Sequence, residues 1–262
     1  MALSVLGLLV FAAWSPRVEP VRLRVLTYNI HHGEGTDGRF DLGRTAALIA
    51  GTGADLVSLQ EVDRGTTRAG GVDQLAVLEQ LTGLRGVYGK AMDFQGGAYG
   101  VAILTRRPVR DASNRALPTT PEREPRTLLT VRVPLDGQTD LAFASTHLDQ
   151  GRDASNRIVQ AGHINEVLAD SGDPTILAGD MNSRPDTEVI QVLEAQWNNP
   201  FPFPMPAAPP DPPRGLVDHV FVRPVGQWRP VGAQVVDDRM ASDHRPLVVD
   251  LEWVPEQSNR KP

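Results

Sequence analysis

A chain of 262 residues, 40% apolar and 22% charged, is long enough to bury one sizeable core. Its formal charge of -6 argues against a broad basic face for gripping nucleic acid, though not against a local basic cleft. The absence of cysteine excludes disulfides, thiolate nucleophiles and zinc-thiolate sites.

The stretch from Met1 to Ala13 carries no charge, and the first charged residue is Arg17. It is shorter than the roughly 20 residues that cross a bilayer and has the length of a signal-peptide core, with Ala12, Ala13 and Ser15 near a cleavage point. Residues 1–20 are expected to direct export, giving a secreted, periplasmic or membrane-associated protein without a stable membrane span. The missing basic residue ahead of the run weakens this reading, and an apolar segment packed on a cytoplasmic domain is the alternative. Residues 21–255 are expected to form one domain, and 256–262 a polar tail.

Apolar runs and helical periodicity alternate along that domain. Leu23 to Ile30 reads as a strand, and Asp41 to Ala50 as a helix capped by Asp41 and stopped at Gly51. Asp55 to Gln60 reads as a strand and Val72 to Leu81 as an amphipathic helix stopped at Gly83. Strands follow at Tyr99 to Thr105, Leu128 to Val133 and Leu141 to Thr146. A helix from about Asp153 to Ala169 places Ala154, Ile158, Ala161, Ile164 and Leu168 on one core-facing stripe. Then come a strand from Thr175, a short helix at Glu188 to Ala195, and strands at Leu216 to Val222, Val231 to Val236 and Pro246 to Leu251. Asn199 to Pro213 is proline-rich, which excludes a central strand or helix interior. An extended surface loop beside the active-site mouth is expected there, with a polyproline recognition segment as the alternative. No repeat of fixed period is present.

The strands end on polar residues. The first ends at Asn29, the second at Glu61 and the one from Leu141 at His147. Thr175 to Ala178 is an apolar run that breaks at Gly179 and ends in Asp180, two residues before Asn182; taken alone, this Asp reads first as a turn residue and second as a ligand. Asp218 stands inside an apolar run and needs a partner to offset its desolvation, and Asp243-His244 precede the last strand. Ligand sites in α/β sheets lie at one end of the strands, so these residues can converge. Glu61, Asp243 and Asn29, with no thiolates, suit a hard cation, Mg²⁺ or Mn²⁺. Such a cation supports phosphoryl hydrolysis, with Asp218 pairing His244.

The motifs Thr27-Tyr28-Asn29-Ile30, Leu59-Gln60-Glu61-Val62-Asp63, Ser145-Thr146-His147-Leu148, Gly179-Asp180-Met181-Asn182-Ser183, Val217-Asp218-His219-Val220-Phe221 and Ser242-Asp243-His244-Arg245-Pro246 occur in this order. Together they resemble the endonuclease/exonuclease/phosphatase superfamily, the deoxyribonuclease I-like group. The resemblance implies a four-layered α/β sandwich, with two central mixed β-sheets flanked by helices, and a metal at Glu61 assisted by Asn29 and Asp243. It implies that His147 contacts the phosphate or acts as acid, Asp180 orients or activates water, Asn182 holds the phosphate, and His244 with Asp218 completes the site. Where many members carry Gly-Asn-Ala, this chain has Tyr99-Gly100-Val101-Ala102, so Val101 replaces an amide that often touches phosphate. Tyr99 or Arg126 is expected to supply that contact, Arg126 also reading as a surface ion pair, and His31 and His32 to line the same mouth or to be partly buried loop residues.

The reading is a divalent-metal-dependent phosphoesterase, and the resemblance disfavours an inositol polyphosphate 5-phosphatase, because Ala178 precedes Gly179 where that subgroup has a Trp and the Trp-Cys-Asp-Arg signature is missing. A small or lipid-linked phosphate ester is the expected substrate. A nuclease acting on DNA or RNA and a non-catalytic binding module on the same fold are the alternatives. A monomer is expected.

Overall fold

The computed structural model describes residues 20–169, 172–201 and 216–254. The N-terminal segment 1–19, most of the proline-rich segment and the C-terminal tail lie outside these residues. Two sheets stack face to face. The first contains β1 (Val21–Asn29), β2 (Leu56–Arg64), β3 (Arg85–Phe94), β4 (Gly97–Thr105), β10 (Trp228–Val235) and β11 (Leu247–Trp253), in the order β10-β11-β1-β2-β4-β3. The second contains β5 (Asp111–Ala116), β6 (Thr127–Pro134), β7 (Asp140–His147), β8 (Thr175–Asp180) and β9 (Asp218–Arg223), in chain order. Both are mixed: β1 runs parallel to β2, and β7 to β8, while the other neighbours are antiparallel.

Alternation along the strands decides the layers. Leu23, Val25, Leu56, Ile103, Val131, Phe143 and Ile176 point between the sheets and form the central core. On the outer face of the first sheet, Leu26, Tyr28, Leu59 and Ala102 meet α1 (Leu42–Thr52) and α2 (Gln74–Thr82) through Ala46, Ile49, Leu75 and Leu78. On the outer face of the second, Leu128, Ala144, Leu177 and Phe221 meet α3 (Ser155–Leu168) and α4 (Glu188–Glu194). The expected stripe on α3 packs into this third cluster through Ala161, Ile164 and Leu168, with Ala154 and Ile158 at its margin. The four layers are therefore helix, sheet, sheet and helix, as the motifs imply. Each fully buried Leu, Ile or Val in them contributes about 1.5–3 kcal/mol.

Local signals explain the helix ends. Asp41 caps α1 by accepting from Arg44 N at 3.0 Å, and Asp73 caps α2 by accepting from Ala76 N at 3.2 Å. The first helix runs past Gly51 and stops at Gly53, because Gly53 (φ 65°), not Gly51, takes the left-handed conformation that ends a helix. Strands β3 and β5 are additions to the sequence reading. Gly86 and Gly89 interrupt the pattern of β3, and β5 is exposed along its whole length, so it has no apolar period to detect.

Candidate active site

Two units of the same construction supply the site. In β1–α1–β2 and in β7–α3–β8 the paired strands are parallel, so each unit brings two carboxyl-terminal strand ends together. Asn29 and the bulge carrying Glu61 lie at the end of the first pair, and His147 and Asp180 at the end of the second. β9 runs antiparallel to β8 and begins there, with Asp218 opposite Asp180. The loop before β11 ends at the same edge, where Ser242 Oγ donates to Asn29 O at 2.8 Å. A buried polar bridge holds the sheets in register below: Ser58 Oγ lies 2.7 Å from Ser145 Oγ and donates to Ala178 O at 3.1 Å, and Gln60 Nε2 donates to Ser58 Oγ at 2.7 Å.

Asp180 is the centre. It is 1% exposed, and its Oδ1 accepts from the Asn182 amide at 2.8 Å while its Oδ2 accepts from Asn29 Nδ2 at 3.2 Å. His147 Nε2 and His244 Nε2 approach Oδ2 at 3.5 and 3.6 Å. Burial, then the charge of Asp218, pushes the Asp180 carboxyl up to about 7. His244 Nδ1 lies 2.9 Å from Asp218 Oδ2. Burial opposes its charge, but Asp218, Asp180 and Asp243 prevail and raise it to about 10, so this imidazole is a cation between two carboxylates.

His147 is the opposite case. Burial and the neighbouring charges of Arg126 and His244 hold it well below the ordinary histidine range, so it is neutral. Arg126 Nη1 lies 3.0 Å from His147 Nδ1, and since Arg has no acceptor, Nδ1 must accept and the ring proton sits on Nε2, toward Asp180. The same Nη1 donates to Tyr99 Oη at 3.3 Å and lies 2.8 Å from Glu124 Oε1. Arg126 is 2% exposed, so the surface reading is corrected: the pair with Glu124 exists, but its guanidinium is buried in the site while Glu124 is half-buried at the cleft. Val101 points into the core between the sheets, not into the cleft, so no phosphate contact comes from it.

Glu61 is placed by backbone geometry. The pairing of β2 with β4 shifts register between Leu59 and Val62, and Glu61 takes φ 57° in that bulge. Its Oε1 accepts from Asn29 Nδ2 at 3.0 Å, and Asn29 Oδ1 accepts from His31 N at 3.0 Å. His31, His32 and Asn182 also have positive φ, at 45°, 43° and 46°. Such conformations in non-glycine residues cluster at functional sites. Asn182 is anchored, its Nδ2 donating to Leu148 O at 2.9 Å. A cleft of about 250 Å³ opens over this edge, lined by His31, Glu61, Tyr99 and Asp243 among the expected residues; His32 is buried and does not line it. Arg68, Met92, Phe94, Glu124 and Gln150 complete the lining and were not legible as site residues. Only Glu124 carried a usable signal, as the acid two positions before Arg126.

Two mixed sheets flanked by helices, with acid, amide and imidazole groups gathered at one edge, define a deoxyribonuclease I-like fold. The chain belongs to the Endonuclease/Exonuclease/phosphatase family, whose model matches residues 26–244. It is similar to the endonuclease/exonuclease/phosphatase from Beutenbergia cavernae DSM 12333, at 25% identity and TM-score 0.69 over 89% of this chain and 72% of that one. It is similar in fold to the D. rerio TDP2 complexed with single strand DNA product, at 21% identity and TM-score 0.67 over 88% and 98% of the two chains. The mannosyl-6-phosphatase Bt3783 of Bacteroides thetaiotaomicron VPI-5482 shares the fold at 19% identity and TM-score 0.63 over 87% and 99%.

Proposed function

We propose that the protein is a divalent-metal-dependent phosphoesterase that hydrolyses a small or lipid-linked phosphate ester by direct attack of water. The observation that carries the reading is the convergence of Glu61, His147, Asp180 and the Asp218-His244 pair at one edge of both sheets. Glu61 and Asp243 in one cleft, with the Asn29 amide against Glu61, form an oxygen-rich donor set that fits Mg²⁺ or Mn²⁺. When bound there, the cation would neutralise charge on the phosphate oxygens and the leaving oxygen.

The remaining residues divide the proton chemistry. Asp180, raised to about 7, is poised to orient a water and take its proton near neutral pH. The neutral His147 presents its Nε2 proton toward the same point, and cationic His244 donates to developing negative charge while Asp218 holds its ring. Asn182 positions Asp180 through its backbone amide and keeps a second side-chain hydrogen for a phosphate oxygen. Arg126 with Tyr99 supports His147 from the far side. The net charge of -6 and the modest cleft favour a compact phosphate group over an extended polyanion.

A panel of bis-p-nitrophenyl phosphate, p-nitrophenyl phosphate, sphingomyelin, inositol phosphates, plasmid DNA and an abasic oligonucleotide, each with Mg²⁺ or Mn²⁺, tests the reading. Asp180→Asn should lower kcat by about 10²- to 10⁴-fold on whichever ester the wild type turns over. Turnover restricted to the nucleic acids replaces the small-ester reading with a nuclease. No metal-dependent turnover of any member above the variant sinks the enzyme reading.

A further inference from the structure

We propose that His31, His32 and Glu61 form a second kind of metal site at the cleft, selective for a borderline dication of the zinc class. It deepens the phosphoesterase reading and rests on it only through the shared Glu61. One nitrogen of each imidazole and one Glu61 oxygen lie within 4.8 Å of one another. Ligand atoms on a tetrahedral zinc ion stand about 3.3 Å apart, so the three side chains need to draw in by roughly 1.5 Å at most. Two imidazoles and a carboxylate are the donor set of an open, three-ligand zinc site, and imidazole nitrogen favours zinc-like ions over Mg²⁺.

The hydrogen bonds around the two rings select which nitrogens are available. His31 Nδ1 lies 3.1 Å from Glu34 O, a carbonyl that can only accept, so Nδ1 carries the proton and Nε2 keeps its lone pair. His32 Nε2 lies 3.4 Å from Glu34 Oε2, and its Nδ1 is buried with no hydrogen-bond partner. A metal-ligating imidazole characteristically donates its other N–H to a carbonyl or carboxylate. One residue, Glu34, provides both outer partners, its backbone to His31 and its side chain to His32. The orphaned His32 Nδ1 is otherwise a buried polar atom with nothing to offset its desolvation, and a metal ion supplies that partner. The rings meet edge to face with centroids 4.5 Å apart on consecutive residues of one short turn. Arg68 lines the same cleft, but its guanidinium is committed to Asp63 by bonds of 2.6 and 2.8 Å.

Co²⁺ titration of the full chain, followed by visible ligand-field absorption and proton NMR, tests the site. Bound Co²⁺ should give two hyperfine-shifted, solvent-exchangeable ring N–H resonances, one from each imidazole. His31→Asn and His32→Asn, chosen because Asn tolerates positive φ, should each remove one resonance and weaken Co²⁺ binding about tenfold or more. Mg²⁺ should fail to displace Co²⁺ from the wild type. Wild-type protein without shifted exchangeable resonances, or both resonances surviving in the half-buried His31→Asn variant, overturns the proposal even if His32→Asn does not fold. Resonances without ester hydrolysis leave this site standing while the phosphoesterase reading fails; hydrolysis with Mg²⁺ but no Co²⁺ resonances does the reverse.

Discussion

Asp180, His147 and His244 at the centre of the site differ in charge state because their neighbours differ, and that sets the expected pH dependence. Asp180 must lose its proton to accept one from water, so kcat/KM should rise as pH climbs through about 7. His244 must keep its proton, so activity should fall as pH climbs through about 10. Asp218 raises both groups, Asp180 by like-charge repulsion and His244 by attraction and a hydrogen bond. Asp218→Asn removes that charge and should shift both limbs toward lower pH, the His244 limb by about 1–3 units. A pH-rate profile in which Asp218→Asn lowers kcat but leaves both limbs in place would separate Asp218 from the charge state of the pair. The residues of this centre were legible in the sequence because His147 and Asp180 close apolar runs, Asp218 interrupts one and His244 stands just before one. Their charge states were not, since those depend on contacts such as Asp218 with His244 across 26 positions and Asn29 with Asp180 across 151.

At the scale of elements, the site depends on where strand ends fall, and the Ser58-Ser145 bridge controls that register. Ser58 joins β2 to β7 and β8 and also serves Gln60, so Ser58→Ala leaves buried polar atoms of Ser145 and Gln60 without their partner. The substitution should cost about 1–3 kcal/mol in urea unfolding, and Ser145→Ala added to it should cost much less than Ser145→Ala alone. Additive losses would show that the two hydroxyls act independently. The long apolar strands and capped helices were readable because burial and caps leave local signals, as at Asp41 and Asp73. Strand β5 left none, and the bulge that turns Glu61 toward the cleft arises from pairing with β4, forty residues away in sequence by order of magnitude. The cleft lining contributed by Met92 and Phe94 was hidden for the same reason, because β3 carries no apolar alternation that would place its end beside Tyr99, and Arg68 comes from the loop after β2.

At the scale of the molecule, the proposed metal ligands Glu61 and Asn29 and the proposed proton-transfer pair His147 and Asp180 come from different sheets. Glu61 and Asn29 belong to the first, His147 and Asp180 to the second, and the Asn29 amide is the strut that touches a carboxylate of each. Without a cation, Glu61, Glu124 and Asp243 line one cleft whose Arg68 is committed to Asp63, and their like charges oppose the convergence of the strand ends. A dication at Glu61 reduces that repulsion and binds only where the strand ends have converged, so it should stabilise the whole domain. At a concentration 100 times Kd the gain is about 2.7 kcal/mol, or roughly 5–10 °C in Tm for a domain of this size. Glu61→Gln should abolish the gain while leaving the Tm of the chelator-treated protein within a few degrees of wild type, because Gln keeps the shape of the side chain. Differential scanning calorimetry with Mn²⁺ and with chelator checks both parts. An equal Tm rise in wild type and Glu61→Gln would place the stabilising cation elsewhere, and two separated transitions on metal addition would mean that the sheets do not unfold as one unit.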